Sequence, residues 1–117
     1  DFTVVVVSEE EFNAWVENMR EPAQAVAAED LEQGRVIYEA NCLYCHAVQP
    51  DVRSAVAPHL NGFADRQRIA GILPHNEENL KDWIRDPAEI KPGTLMPKMP
   101  LSEEELDQLT KFLLELK

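Results

Sequence analysis

The segment Cys42-Leu43-Tyr44-Cys45-His46 holds both cysteines of this 117-residue chain, and an imidazole follows the second directly. Two thiols about one helical turn apart can add to the two vinyl groups along one edge of a porphyrin. The next residue's imidazole then lies under the iron as its proximal ligand. Cys-x-x-Cys-His therefore predicts covalent attachment of one haem c through Cys42 and Cys45, with His46 on the iron. Two other chemistries use paired cysteines. A disulfide oxidoreductase wants the pair at a helix N-terminus after a strand, where thiol pKa values fall; here the pair follows a predicted helix. A structural zinc site wants two further Cys or His ligands at similar spacing, and His59 and His75 stand apart, separated by 16 positions.

A thioether as second axial ligand raises the iron's potential and suits electron transfer. Met96 lies 50 residues beyond His46, within 87–100, where four prolines and a glycine predict a constrained loop rather than helix or strand. Pro97 keeps Met96 out of the helical region and so helps present its side chain across a flat cofactor. Met99 is the rival, while Met19 belongs to an apolar stripe in which core packing is the expectation. A water, a histidine or an open position complete the choices. Spacing alone reads Trp83 as core. Arg66 and Arg68 are available to carboxylates, although exposure is the ordinary state of arginine. His59 and His75, each preceded by proline, are expected to face solvent, and Tyr44 to flank the ring.

These residues need helices to position them. Phe2–Val7 (FTVVVV) reads as a β-branched strand whose partners are missing. Ser8 and Glu11 form a capping box that opens a first helix, with Val7 and Phe12 placed as a hydrophobic staple. Phe12, Trp15, Val16 and Met19 make one apolar stripe before Pro22 stops the helix. A run of Ala, Gln and Val over 23–28 reads as a linker. A second helix is predicted from Asp30 as N-cap to about Asn41, with Gly34 and Tyr38 one turn apart on a shared face. Gly inside a helix costs ~1 kcal/mol against Ala, which marks close approach by another backbone. The segment 43–76 is irregular, with a short helix allowed near 64–70. A third helix covers about 77–86, with Leu80, Trp83 and Ile84 on one face and Pro87 as its stop. The last opens at Ser102 with Glu105 as capping partner and a Leu101–Leu106 staple. Leu106, Leu109, Leu113 and Leu116 form its apolar face.

Cys42–His46, the Gly34/Tyr38 pair and Lys91-Pro92-Gly93-Thr94-Leu95-Met96 together resemble a mono-haem class I cytochrome c. The resemblance implies an all-α fold, three main helices around a covalent haem, in which Gly34 and Tyr38 pack on the last helix near Leu109, Leu113 or Phe112. The family's Gly-Pro-x-Leu loop corresponds to Ala57-Pro58-His59-Leu60, with Ala57 in place of glycine. This implies that Pro58 and Leu60 border the haem and that the Pro58 carbonyl accepts the His46 Nδ1–H. It further implies Met96 as axial ligand, with the Trp83 indole and an arginine, Arg68 or Arg66, near the propionates. Ala64-Asp65-Arg66, Leu73-Pro74, Glu77–Leu80, Trp83–Pro87 and Met96-Pro97 resemble one subgroup, the cytochrome c domain fused to subunit II of haem–copper oxidases. Phe2–Trp15 resembles the end of that subunit's copper domain. The implied layout is a strand-helix leader over 1–24 and a cytochrome domain over 25–117. The implied role is single-electron relay from a periplasmic or membrane-side donor protein to the oxidase's dinuclear copper centre, joined in cis. The alternatives are a free-standing cytochrome c or a ligand-binding haem sensor or enzyme.

Composition narrows the partners. The chain carries 22 acids against 11 bases, a formal charge of −11. Nine of those acids, against Arg20 alone, fall within residues 1–33. Such a balance opposes nucleic acid and anionic membrane surfaces as partners. No apolar run approaches the ~18–20 residues of a membrane helix. The expectation is a soluble acidic domain that meets a membrane only through a parent complex. Aromatics make up 7%, too few for a full core at this size without a cofactor's support.

Overall fold

The computed structural model describes residues 4–21, 29–48, 52 and 56–117. Among these described residues there are five helices: α1 (Glu9–Arg20), α2 (Glu29–Asn41), α3 (Glu77–Arg85), α4 (Pro87–Ile90) and α5 (Glu103–Leu114). A 3₁₀ turn, Phe63–Asp65, and an antiparallel ribbon of β1 (Arg68–Ile69) and β2 (Leu73–Pro74) lie between α2 and α3. This is the mostly helical architecture that the spacing and the resemblance lead one to expect.

The core forms where α2 crosses α5 and α3 packs on α5. Leu106, Leu109, Leu113 and Leu116 are all buried, with Phe112 and Thr110 beside them. Tyr38 meets the Phe112 ring at 5.5 Å between centroids. The reason for Gly34 lies in the same crossing. A Cβ there would stand 2.3 Å from the Gln108 carbonyl oxygen and 2.5 Å from Phe112 Cβ. The two helices therefore touch backbone to backbone, and only a residue without a side chain fits.

Local chemistry sets most of the ends. The Ser8/Glu11 and Ser102/Glu105 capping boxes are both closed. Asn76 caps α3 by accepting from the Asn79 amide at 2.9 Å. Several expectations are corrected. α2 starts at Glu29, so Asp30 lies inside its first turn instead of capping it. The 64–70 region holds a 3₁₀ turn and β1 rather than an α-helix, because Arg66 turns extended directly after Asp65. Pro87 does not simply end a helix. It occupies N1 of α4, where its missing N–H is no loss, and Asp86 caps that turn. The 87–100 segment thus begins with a helical turn before becoming loop.

The leader differs most. Residues 1–3 and the linker with Pro22, over 22–28, lie outside the described residues, and Val4–Val7 form no strand. All four valines are exposed; without a neighbouring edge a strand gains nothing for its ordering entropy. Phe12 and Trp15 touch each other, at 5.9 Å between centroids, yet both stay exposed. Only the end of the stripe docks. Met19 Sδ would lie 3.3 Å from a Cβ on Gly62, whose φ is +63°, and the Met19 carbonyl accepts from Asn61 Nδ2 at 2.9 Å.

Candidate functional site

After Asn41 the chain keeps winding. The Cys42 amide donates to Tyr38 O at 2.8 Å, and the Cys45 and His46 amides both donate to Cys42 O, at 3.1 and 2.8 Å. The two thiols and the imidazole thus sit on one continuation of α2, the spacing that attachment along one porphyrin edge needs. Cys42 and Cys45 are both half-buried, and Cys42 packs against the core. Burial, and then the neighbouring Cys45, push the Cys42 thiol up to about 11. A dithiol oxidoreductase requires the opposite shift, so the environment opposes that reading. Among the described residues no cluster of His, Cys, Asp or Glu could hold a metal ion by itself, which removes the zinc alternative there.

His46 Nδ1 lies 2.7 Å from the Pro58 carbonyl oxygen. A carbonyl only accepts, so Nδ1 carries the proton and Nε2 keeps its lone pair for a metal. Ala57 in place of glycine does not prevent the turn that brings Pro58 there. The same loop is tied back by the Leu60 amide, which donates to Ala47 O at 3.0 Å. Leu60 is half-buried against the core. One contact escaped the sequence reading: Tyr38 Oη donates to the His46 carbonyl. Tyr38 therefore joins the α2–α5 crossing to the proximal residue, and its position one turn after Gly34 was the available signal.

Tyr38 also yields a pH prediction. Burial holds its phenol well above the ordinary tyrosine range. A raised folded-state value means that its stabilisation is complete below about pH 10 and declines as the pH rises beyond it. Tyr38→Phe is expected to cost about 1 kcal/mol at pH 7 by loss of one hydrogen bond. The variant should lose less stability than the parent between pH 10 and 11 in denaturant melts, on the order of a few tenths of a kcal/mol or more.

The other residues singled out in the sequence sit as follows. Met96 is half-buried and packs against the core, whereas Leu95 beside it is 93% exposed. Met99 is half-buried, and its carbonyl accepts from the Leu101 amide at 2.9 Å. Ion pairs brace both ends of this loop: Lys98 Nζ to Asp86 Oδ2 at 3.1 Å, and Arg85 Nη2 to Glu103 Oε2 at 2.9 Å. Both are exposed, so they set geometry more than stability. Trp83 is half-buried against the core. Tyr44 is 89% exposed beside the thiols.

The two arginines part company. Arg68 is exposed and donates to Ile72 O at 3.3 Å. Arg66 is half-buried, donates to His59 O and Asn61 O, and lies 5.6 Å over the Phe63 ring. Burial lowers its pKa, and no carboxylate among the described residues pairs with it. The two histidines do not face solvent as expected. His59 Nε2 reaches the Val52 carbonyl at 2.6 Å. His75 turns inward, because its amide extends the ribbon by donating to Gln67 O at 3.1 Å and its ring lies against Phe63.

Two thiols on one winding, an imidazole with Nε2 left basic, and a half-buried thioether on a braced loop fit a covalently held iron porphyrin. Comparison with known proteins agrees. The cytochrome c family model matches residues 31–117. The whole chain is 46% identical to part of cytochrome c oxidase subunit 2 from Bacillus sp. (strain PS3) and 38% identical to part of that of Bacillus subtilis (strain 168). It spans 35% of the length of each. Cytochrome c of Tetrahymena pyriformis is 32% identical over 66% of this chain and 79% of its own length. Residue chemistry, fold and relatives converge: the chain belongs to the cytochrome c family, whose domains bind covalent haem c and transfer electrons.

Proposed function

We propose that this chain relays single electrons from a periplasmic or membrane-side donor protein to the dinuclear copper centre of a terminal oxidase. On this reading residues 1–24 are a leader continuous with a copper domain in the parent chain, and 25–117 form the haem domain. The domain works at the outer face of the cytoplasmic membrane as part of that complex. Likeness to the oxidase subunits over the full chain, leader included, supports it. The observation that carries the site is the His46 Nδ1–Pro58 contact at 2.7 Å, which prepares Nε2 as a metal ligand.

The haem supplies a reversible one-electron change at its iron. The protein does the rest. Cys42 and Cys45 would hold the cofactor through thioether bonds, His46 and Met96 would ligate its iron, and Pro58 orients the imidazole. Leu60 and Trp83, half-buried against the core, would border the ring and keep water away. Tyr44 and Leu95, each exposed beside a ligand-bearing position, offer partners an apolar rim. Residues 34–117 of that domain hold 13 acids and 10 bases, so docking over this part rests on that rim rather than on a strong charged field.

Rapid mixing of the reduced haem-loaded protein with an oxidase copper domain tests the reading. Electron transfer should follow, with a rate that changes less than about threefold between 0.05 and 0.5 M salt. A steep salt dependence would refute apolar docking. Absence of transfer, combined with carbon monoxide binding to the ferrous protein, would replace the relay with a ligand-binding haem protein.

A further inference from the structure

We propose that the Asn61-Gly62 corner is a seat for the leader helix, with Asn61 as a positioning residue that fixes α1 to the haem domain. Leader and haem domain then move as one body instead of as two parts on a free tether. What this does for the relay rests on the leader's continuity with a copper domain. Asn61 is 4% exposed, and a buried amide has to find partners. Its Nδ2 donates to the Met19 carbonyl at 2.9 Å, across 42 positions of sequence, while its Oδ1 is buried without a partner. Among the described residues the leader thus supplies the hydrogen bond that satisfies this side chain.

The bond serves α1 as well. The last carbonyls of a helix have no partner within it. In α1 the Asn18 carbonyl takes the Glu21 amide at 3.2 Å, and the next carbonyl takes Asn61. A different atom of Met19 makes a second contact. Its sulfur lies over Gly62, 3.3 Å from where a Cβ would stand, and Gly62 holds φ +63°. Glycine there both leaves room for the thioether and makes the turn.

The seat itself is braced. On one side the Leu60 amide donates to Ala47 O at 3.0 Å, and on the other the Ala64 amide donates to Leu116 O at 2.9 Å. Arg66 grips the His59 and Asn61 carbonyls between them. Pro58, which orients His46, belongs to the same short loop. The leader therefore docks on the segment that sets the proximal imidazole, at a fixed distance from it. Phe12 and Trp15 stay exposed, so the hold on α1 lies in its last turn.

Backbone amide relaxation by NMR on the full haem-loaded chain tests this. Amides of α1 should show order parameters of about 0.85, the value of rigid backbone. A helix of 12 residues is marginal by itself, so once released it frays and tumbles. Asn61→Ala should lower the α1 values below about 0.6, with α5 and the visible spectrum as in the parent. Met19→Ala should lower them in the same direction, and it alters the leader alone, so the test survives if Asn61→Ala fails to fold. Parental α1 values already below about 0.6, or unchanged values in the variants that fold, would overturn the proposal. An ordered α1 that the variants release, in a protein that passes no electron to a copper domain, would uphold the seat and refute the relay, so the two failures are distinct.

Discussion

Replacing Met96 with leucine is expected to abolish the weak far-red absorption band of a thioether-bound ferric haem. The reduction potential should fall by roughly 0.1–0.3 V, well inside the ~0.8 V range that axial ligands command. Loss of the thioether removes the ligand that favours the ferrous state. Leucine is chosen because Met96 also packs against the core. A Leu-for-Met swap conserves volume and should cost less than about 1.5 kcal/mol, so the spectral change cannot be ascribed to unfolding. Met99→Leu should leave band and potential in place. Persistence of the band in Met96→Leu together with its loss in Met99→Leu would transfer the ligand to Met99. Carbon monoxide binding supplies an independent readout. The parent should resist it at neutral pH and Met96→Leu should bind it readily.

Gly34→Ala should be strongly destabilising, since of the four glycines only this one would bring a Cβ against backbone. The new Cβ would stand 2.3 Å from the Gln108 carbonyl oxygen, where ordinary contact starts at 3.4 Å. The obstacle is backbone and cannot rotate away, so α2 and α5 must part by about an ångström along their crossing. Overpacking costs about 1–3 kcal/mol, and the ~1 kcal/mol gained in helix propensity recovers only part of it. The separation also loosens the contact of Tyr38 with Phe112 and the Tyr38 bond to His46. With those looser contacts included, we expect a net loss of about 1–2 kcal/mol and a Tm roughly 5–10 °C lower. The chain around His46 should loosen as well. A thermal melt within 2 °C of the parent would show that the crossing is softer than the geometry states.

Short-range chemistry was legible in the amino-acid order. Cys42, Cys45 and His46 announce their cofactor because attachment depends on spacing within one turn. The capping boxes at Ser8/Glu11 and Ser102/Glu105 closed as their spacing required, since every partner lies within three residues. The apolar face of α5 was equally plain, and Gly34 marked a close backbone approach.

Tertiary structure decided what depends on distant neighbours. A sequence cannot say whether a strand finds an edge, and Val4–Val7 found none among the described residues. Nor can it say which of two nearby arginines turns inward. Arg66 does, because the carbonyls of His59 and Asn61 converge on it while Arg68 sits on an exposed ribbon. His75 carries the same lesson. Its proline neighbour suggested a solvent-facing loop, but the ribbon pairing of Arg68 with Pro74 folds the next residue back over Phe63. A side chain's direction there follows from a pairing between strands, and no local preference of the residue itself encodes it.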